Sequence, residues 1–439
     1  MNETQGSVDI STKLERIAKL AKDKPGVALT TLAHNIDMEW ICEAFNRTRK
    51  DGALGADGIS AEEYAEHLEG NLQSLLDRAK SGRYRAPPVR RVHIPKGDGV
   101  QTRPIGIPTF EDKVLQRAVA MVLEAVYEQS FHDFSYGFRP RRSARKALED
   151  LRSTTIRMGG GWVVEVDIRK FFDTIDHGHL QAILRQRVRD GVLLRLIGKW
   201  LNAGVLEGNE LSYPDEGTPQ GGVISPLLAN VFLHEVFDDW FVHAVVPRLR
   251  GRSAVVRYAD DITMIFVRKD DAMRVFNVLP ARFGKYGLTL HPQKTRVVPF
   301  RRPDLAAKRG EPAPDTFDLL GFTHHWELSR SKKWFVRMHT AKDRFRRTLR
   351  QLNEWCRDHR HFSLDEQHTT LELKLKGHFA YFGVWSNMRK LGTLCHWATR
   401  IWFKWLSRRS NQPLSWKAMR RILKRYPLPI PSVAAPRVT

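Results

Sequence analysis

The chain has 439 residues, 42% of them hydrophobic and 28% charged, which suits two or three packed units and excludes a disordered chain. Lys and Arg outnumber Asp and Glu by 72 to 49, giving a net charge of +23, so a polyanion is the expected partner. No apolar run is long enough to span a bilayer and no cationic leader precedes an apolar stretch. The expectation is therefore a cytoplasmic protein that engages nucleic acid, and no membrane.

Residues 1–82 read as helices. Leu14 to Ala21 and Met38 to Arg49 carry apolar residues at helical spacing. Asp51-Gly52 and Gly55-Ala56-Asp57-Gly58 interrupt the pattern, and Ser60 starts a helix predicted to reach Ala79. Val89 to Pro95, the turn Lys96-Gly97-Asp98-Gly99 and Thr102 to Pro108 read as a basic β-hairpin. A long helix from Glu111 to Tyr127 follows. Gly159-Gly160-Gly161 reads as a turn into the apolar strand Trp162 to Ile168, which carries Asp167 near its end. Asp176 is the predicted N-cap of the next helix, so Asp173, Asp176, His177 and His179 read as a helix start and not as metal ligands.

A Gly/Pro-rich turn spans Gly217 to Gly222, and Ala254 to Phe266 is an apolar strand pattern interrupted by Asp260 and Asp261. Arg301 to Pro314 reads as a charged linker. Helical patterns follow at Phe335 to Trp355, Leu371 to Lys390 and Leu394 to Leu406. From Gly321 onward there are 25 Lys and Arg against 7 Asp and Glu, with eight of the 12 tryptophans. Most of those tryptophans are expected in a core, leaving the cations as a surface for nucleic acid. His324-His325 has no spaced partner and reads as structural. Cys42, Cys356 and Cys395 form no CxxC pair, so no zinc knuckle is expected. Strands among helices, then a helical C-terminal third, indicate an α+β or α/β core with an all-α appendage.

Asp260 and Asp261 would be costly inside a strand, and a tight hairpin presenting them at a cleft removes that cost. With Asp167 on the other apolar strand they make an all-oxygen site suited to Mg²⁺. Two such ions serve phosphoryl transfer, one at the attacking oxygen and one at the leaving group.

Arg257-Tyr258-Ala259-Asp260-Asp261 resembles the signature of reverse transcriptases, and Val166-Asp167-Ile168-Arg169-Lys170-Phe171-Phe172-Asp173 resembles their first acidic motif. Gly217-Thr218-Pro219-Gln220-Gly221-Gly222 through Asn230 is similar to the reverse transcriptase–maturases encoded by bacterial group II introns. So are Arg103 to Pro108, Ser135 to Pro140, Leu290 to Thr295 and Leu319 to Phe322, in the same order, so that the likeness runs from about Leu29 to Pro429.

The resemblance implies an α+β right hand: a helical extension of the fingers at 1–82, fingers and palm with an antiparallel sheet at 83–325, and an all-α thumb or maturase domain at 326–439. It implies an RNA-directed DNA polymerase using Mg²⁺ (Mn²⁺ in vitro) and dNTPs. Such an enzyme binds its group II intron RNA to promote splicing, then copies it from a DNA primer or target during retrohoming. Asp167, Asp260 and Asp261, with the Ile168 carbonyl, would hold the ions. Lys96, Arg103, Phe172, Gln220 and Lys294 would bind the nucleotide, Phe172 by crowding a 2′-hydroxyl and Lys294 as an acid toward pyrophosphate. Leu320, Gly321 and Phe322 would grip the primer. Arg139, Arg142, Lys374, Lys376, Arg389, Arg400, Arg408 and Arg409 would contact RNA. The chain departs from the family at Arg141 and Arg145, where glycine and histidine are common, adding charge near the expected template path. No cysteine-paired HNH endonuclease segment is expected, which implies mobility without second-strand cleavage. A splicing-only maturase and a host-adopted enzyme for defence or repair are the alternatives.

Overall fold

The helical reading of the N-terminus holds, with one break. The computed structural model describes residues 3–95, 102–208, 210–213, 217 and 221–433. In it α1 spans Glu3–Asp23 and α2 spans Met38–Arg47, capped by the Asp37 carboxylate on Trp40 N. After Ser60 come two helices, α3 (Ala61–Ala65) and α4 (Leu68–Ser81). Ser60 and Glu63 satisfy each other's backbone donors at the start, and Gly82 closes α4 in the left-handed region.

Next come strands β1 (Val89–Pro95) and β2 (Thr102–Ile107), then α5 (Phe110–Tyr127) and α6 (Ala144–Met158). Helix α5 is buried on nearly every face and packs against α1 and α2, as an apolar helix must. Strand β3 (Trp162–Val166), α7 (His177–Arg187), α8 (Gly191–Leu201), β4 (Val205–Glu207) and β5 (Glu210–Ser212) follow. Asp176 accepts from His179 N at the start of α7, as its cap role requires. Helix α9 (Ser225–Leu233) continues as π-helical turns over His234–Asp239 and Phe241–Val245. Strands β6 (Ser253–Tyr258) and β7 (Asp261–Phe266), helix α10 (Lys269–Gly284) and strand β8 (Arg296–Pro299) come after. The strands form two four-stranded sheets, ordered β2-β1-β4-β5 and β6-β7-β3-β8.

The described residues divide into two compact units, one of 3–95, 102–151 and 164–297, the other of 152–163 and 298–433. The second contains α11 (Pro303–Lys308) inside the stretch expected to be a linker, where Arg301 is buried against Glu311. It continues through β9 (Phe317–Leu319), β10 (Phe322–Leu328) and β11 (Trp334–Thr340), a sheet ordered β11-β10-β9. The helix expected from Phe335 therefore begins only at α12 (Lys342–Asp358). Val336, Met338 and Thr340 alternate inward, the period of a strand paired to β10. The pattern from Leu371 to Lys390 is likewise two helices, α13 (Leu364–Phe382) and α14 (Met388–Leu406), broken at Gly383; α15 (Trp416–Arg425) follows. Of the eight tryptophans here Trp326 and Trp402 are buried and Trp355 and Trp405 pack half-buried against the helical core, while Trp385, Trp397 and Trp416 are exposed. Among the described residues no helix is long and apolar enough to cross a membrane.

Candidate active site and nucleic-acid surface

Tyr258 pairs with Asp261 across the β6–β7 hairpin, so Ala259 and Asp260 alone make the turn. Ala259 takes φ +55°, an unfavourable region for a side-chain-bearing residue, and something must hold it there. Arg257 does so. Its side chain is wholly buried, and its guanidinium donates to Asp238 Oδ1 at 2.8 Å and Oδ2 at 2.5 Å, to Asn230 Oδ1 at 2.9 Å, to Ser135 Oγ at 2.7 Å and to the Ala259 carbonyl at 3.2 Å. Burial works to raise the Asp238 carboxyl, but Arg257 and His234 hold it below the usual range. From the other side, Tyr136 N donates to the Arg257 carbonyl at 2.8 Å, and Arg257 N to the Phe134 carbonyl at 2.8 Å. Gly137 lies so close that a Cβ there would sit 2.4 Å from Ala259 N.

Asp167 follows β3 directly. Its carbonyl accepts from His291 N at 2.8 Å, and Lys294 Nζ lies 3.1 Å from its Oδ2. Ile168 is bridged to Leu290 by the bonds of its neighbours, which turns its own carbonyl away from that segment. The Asp260 carboxyl is raised by burial and by Asp167, against the pull of Arg103 and Arg257. Asp261 is exposed at the start of β7. The donors are thus oxygens only, with Asp167 and Asp260 close enough to repel and a lysine already compensating Asp167. That set fits a hard divalent cation such as Mg²⁺ and no soft one.

Arg103, on β2 opposite Ile94, is exposed and within electrostatic reach of Asp260. Phe171 is buried while Phe172 is only partly so, set edge-on to it at 5.3 Å between ring centroids. Gly217, at φ +93°, leaves 3.0 Å between its Cβ direction and the Phe172 carbonyl, and Gly221, at φ +116°, leaves 2.6 Å to the Gly106 carbonyl. Both ends of the Gly/Pro-rich loop therefore rest their backbone on the elements carrying Phe172 and Arg103, where no other residue fits. Lys96 and Gln220 lie outside the described residues.

In the second unit, Leu320 and Gly321 form the two-residue turn between β9 and β10, at φ +51° and +79°. The Leu320 carbonyl accepts from Tyr381 Oη at 3.0 Å, and Phe322 is buried against Tyr381 and Phe382. Lys374, Lys376, Arg389, Arg400, Arg408 and Arg409 are all exposed. Arg400 lies over Trp397 and Arg408 over Trp405, and Trp416 stacks on Phe403 at 4.0 Å. Arg139 is not on that surface. Its side chain is 3% exposed and is spent on Glu128 and the His132 and Ser135 carbonyls. Arg142 pairs with Asp133 at 2.6 Å.

Sequence reasoning gave Arg257, Asp238 and Asn230 no role. The available signal was an arginine in an apolar strand, which only a buried counter-charge can explain.

Residues 94–324 match the family model of reverse transcriptase (RNA-dependent DNA polymerase). The chain is 35% identical over 290 residues to protein YkfC of Escherichia coli (strain K12), covering 58% of this chain and 75% of that protein. It is 38% identical over 233 residues to the group II intron-encoded protein LtrA of Lactococcus lactis subsp. cremoris, covering 52% of this chain and 38% of that protein. Nuclear intron maturase 4, mitochondrial, of Arabidopsis thaliana is 29% identical over 136 residues, 31% of this chain and 17% of that protein.

Proposed function

Because the chain belongs to the reverse transcriptase family, we propose that it copies RNA into DNA and that its basic C-terminal helices bind a group II intron RNA to promote splicing. The observation that carries the reading is the nearness of Asp167 to Asp260, whose carboxyl is raised by burial and by that neighbouring charge, beside Arg103 and Lys294. Asp167, Asp260 and Asp261, with the Ile168 carbonyl, would hold two divalent ions. When bound, these supply activation of the primer 3′-oxygen and neutralisation of the departing pyrophosphate.

The remaining roles fall to the chain itself. The Arg103 guanidinium matches the triphosphate oxygens as a forked donor. The partly exposed Phe172 ring crowds a 2′-hydroxyl and selects deoxynucleotides. Lys294 Nζ, held at Asp167, carries a proton within reach of the leaving group. Leu320, Gly321 and Phe322 position the primer end. Functionally, residues 1–82 extend the fingers, 83–325 form fingers and palm, and 326–439 the thumb. Splicing alone does not explain two acids kept at a costly separation.

Primer extension on an RNA template tests this. The protein should incorporate dNTPs with Mg²⁺, and Asp260→Asn should lower incorporation by at least about 10²-fold. Intron RNA binding should stay within about twofold, because the substitution removes none of the basic residues assigned to RNA. Replacing Arg400, Arg408 and Arg409 with alanine should flatten the salt dependence of RNA binding and leave extension of a pre-annealed primer in place. Splicing without any incorporation by the unaltered protein would leave only the RNA-binding half standing.

A further inference from the structure

Away from the carboxylate pair, a second polar cluster sits beside the turn-holding network. His132 Nε2 lies 2.7 Å from Asp239 Oδ1, and His234 Nε2 lies 3.5 Å from Asp239 Oδ2. One ligand atom from each of the three residues falls within 4.8 Å of the others. We propose that His132, His234 and Asp239 form a transition-metal site, with Zn²⁺ the best-fitting ion and water in the remaining position.

The donor set decides the class of ion. Two imidazoles and one carboxylate suit a borderline cation such as Zn²⁺ and not Mg²⁺, so this site is chemically separate from the all-oxygen one. Ligand bonds of about 2.0–2.1 Å in tetrahedral geometry set donor atoms roughly 3.3 Å apart. The two imidazoles face different oxygens of Asp239, His234 Nε2 at 3.5 Å from Oδ2 and His132 Nε2 at 2.7 Å from Oδ1, so an ion between them needs a small turn of the carboxylate and an opening of the His132 contact, within a cluster whose ligand atoms already fall inside 4.8 Å. The 2.7 Å contact between His132 Nε2 and Asp239 Oδ1 is bridged by a proton, and an ion binding at Nε2 displaces it, to Nδ1 of the same ring if the imidazole is neutral or to solvent if it is charged.

The rings are oriented before any ion arrives. His132 is stacked on Phe134, with 5.2 Å between centroids and planes 9° apart, and His234 meets Phe131 edge-on at 5.3 Å. The His132 carbonyl is fixed by Arg139, whose charge Glu128 neutralises. The side chains of His132 and Asp239 are 24% and 39% exposed, which gives an ion a way in. His243 donates from Nδ1 to the Asp239 carbonyl at 3.0 Å, which leaves Nε2 as its lone-pair nitrogen, and its ring lies 6.2 Å from that of His132.

The site also has an outer partner with a purpose. His234 Nδ1 lies 3.7 Å from Asp238 Oδ2, too far for a hydrogen bond, and Asp238 is the counter-charge of Arg257. A metal on Nε2 makes Nδ1–H a stronger donor and draws that carboxylate closer. Occupancy would then stiffen the chain His234–Asp238–Arg257–Ala259 that holds the turn bearing Asp260.

Co²⁺, as a spectroscopic stand-in for Zn²⁺, tests the site in the full-length protein. One equivalent should give the intense visible absorption of four-coordinate Co²⁺, without a thiolate charge-transfer band, and Zn²⁺ should abolish it. The signal should persist in Asp260→Asn, which alters only the other site, and affinity should fall at least tenfold in His132→Gln and in Asp239→Asn. Zn²⁺ should raise the melting temperature of the unaltered protein and of Asp260→Asn but not of His132→Gln. Equal Co²⁺ affinity in His132→Gln overturns the proposal. So does the absence of four-coordinate absorption in the unaltered protein, whatever the variants do; the three side chains are then an ion-pair cluster only.

Discussion

Arg257→Met removes a charge and little volume, so its effect isolates the network beneath the turn that carries Asp260. Both Arg257 and Asp238 side chains are 0% exposed. Removing one partner of such a pair strands the other charge, at about 3–5 kcal/mol. At roughly 2–4 °C per kcal/mol for a unit of this size, the melting temperature should fall on the order of 10 °C. Replacing both partners, Arg257→Met with Asp238→Leu, removes both buried charges together. The pair should then be more stable than either single variant, because a buried ion pair is worth little against an apolar substitute. Activity should not recover in step. The Ala259 carbonyl loses its 3.2 Å bond to Arg257 in every variant, and a displacement of about 1 Å at reacting groups costs about 10²-fold. Urea-unfolding midpoints and single-turnover incorporation measure the two effects separately. A single variant within about 1 kcal/mol of the unaltered protein, or strictly additive losses in the double variant, would refute the reasoning.

Gly137→Ala places a methyl 2.4 Å from Ala259 N, against backbone that cannot move without shifting Asp260. It should cost about 1–3 kcal/mol and reduce incorporation more than RNA binding; incorporation within twofold of the unaltered protein would count against the close fit. His324 is fully buried, stacked on Phe317 at 4.6 Å, and burial pushes its imidazole down to about 3. A depressed histidine favours the neutral folded form, so its contribution is present above the unfolded value of about 6.5 and drains away as pH falls toward 3. Relative to His324→Phe, the unaltered protein should lose about 2–3 kcal/mol between pH 7.5 and 4.5, read from urea midpoints; a pH-independent difference would sink this account.

Local chemistry made much of this legible in the sequence. Ser60 and Asp176 announced their helices because a cap needs only residues three positions away. Adjacent aspartates in an apolar strand demanded a turn, and the hairpin from Tyr258 to Asp261 supplies it. What escaped was what depends on partners far along the chain. Phe335 begins a window that suits either period, and only pairing with β10 makes it a strand. Arg139 read as a surface cation because nothing nearby in sequence shows Glu128 folding over it. The exposed tryptophans escaped for a related reason: Trp397 stays at the surface under Arg400 and Trp416 stacks on Phe403, contacts that sequence spacing does not announce.

A site built from Asp167 and Asp260 must hold two like charges together before any cation arrives, and burial makes that worse. Lys294 and Arg103 relieve part of the repulsion, but neither fixes where Asp260 stands. That falls to groups on three separate segments: Ser135 to Gly137 beside β6, Asn230 on α9, and Asp238 on the π-helical turns. All converge on Arg257, whose fork reaches four partners at once, a geometry that lysine cannot reproduce. The conformational cost of Ala259 at φ +55° is thereby met from outside the turn. The same network explains why the helix after Leu233 widens where it does: the π-helical turns contain Asp238 and His234, the residues that meet Arg257 and Asp239.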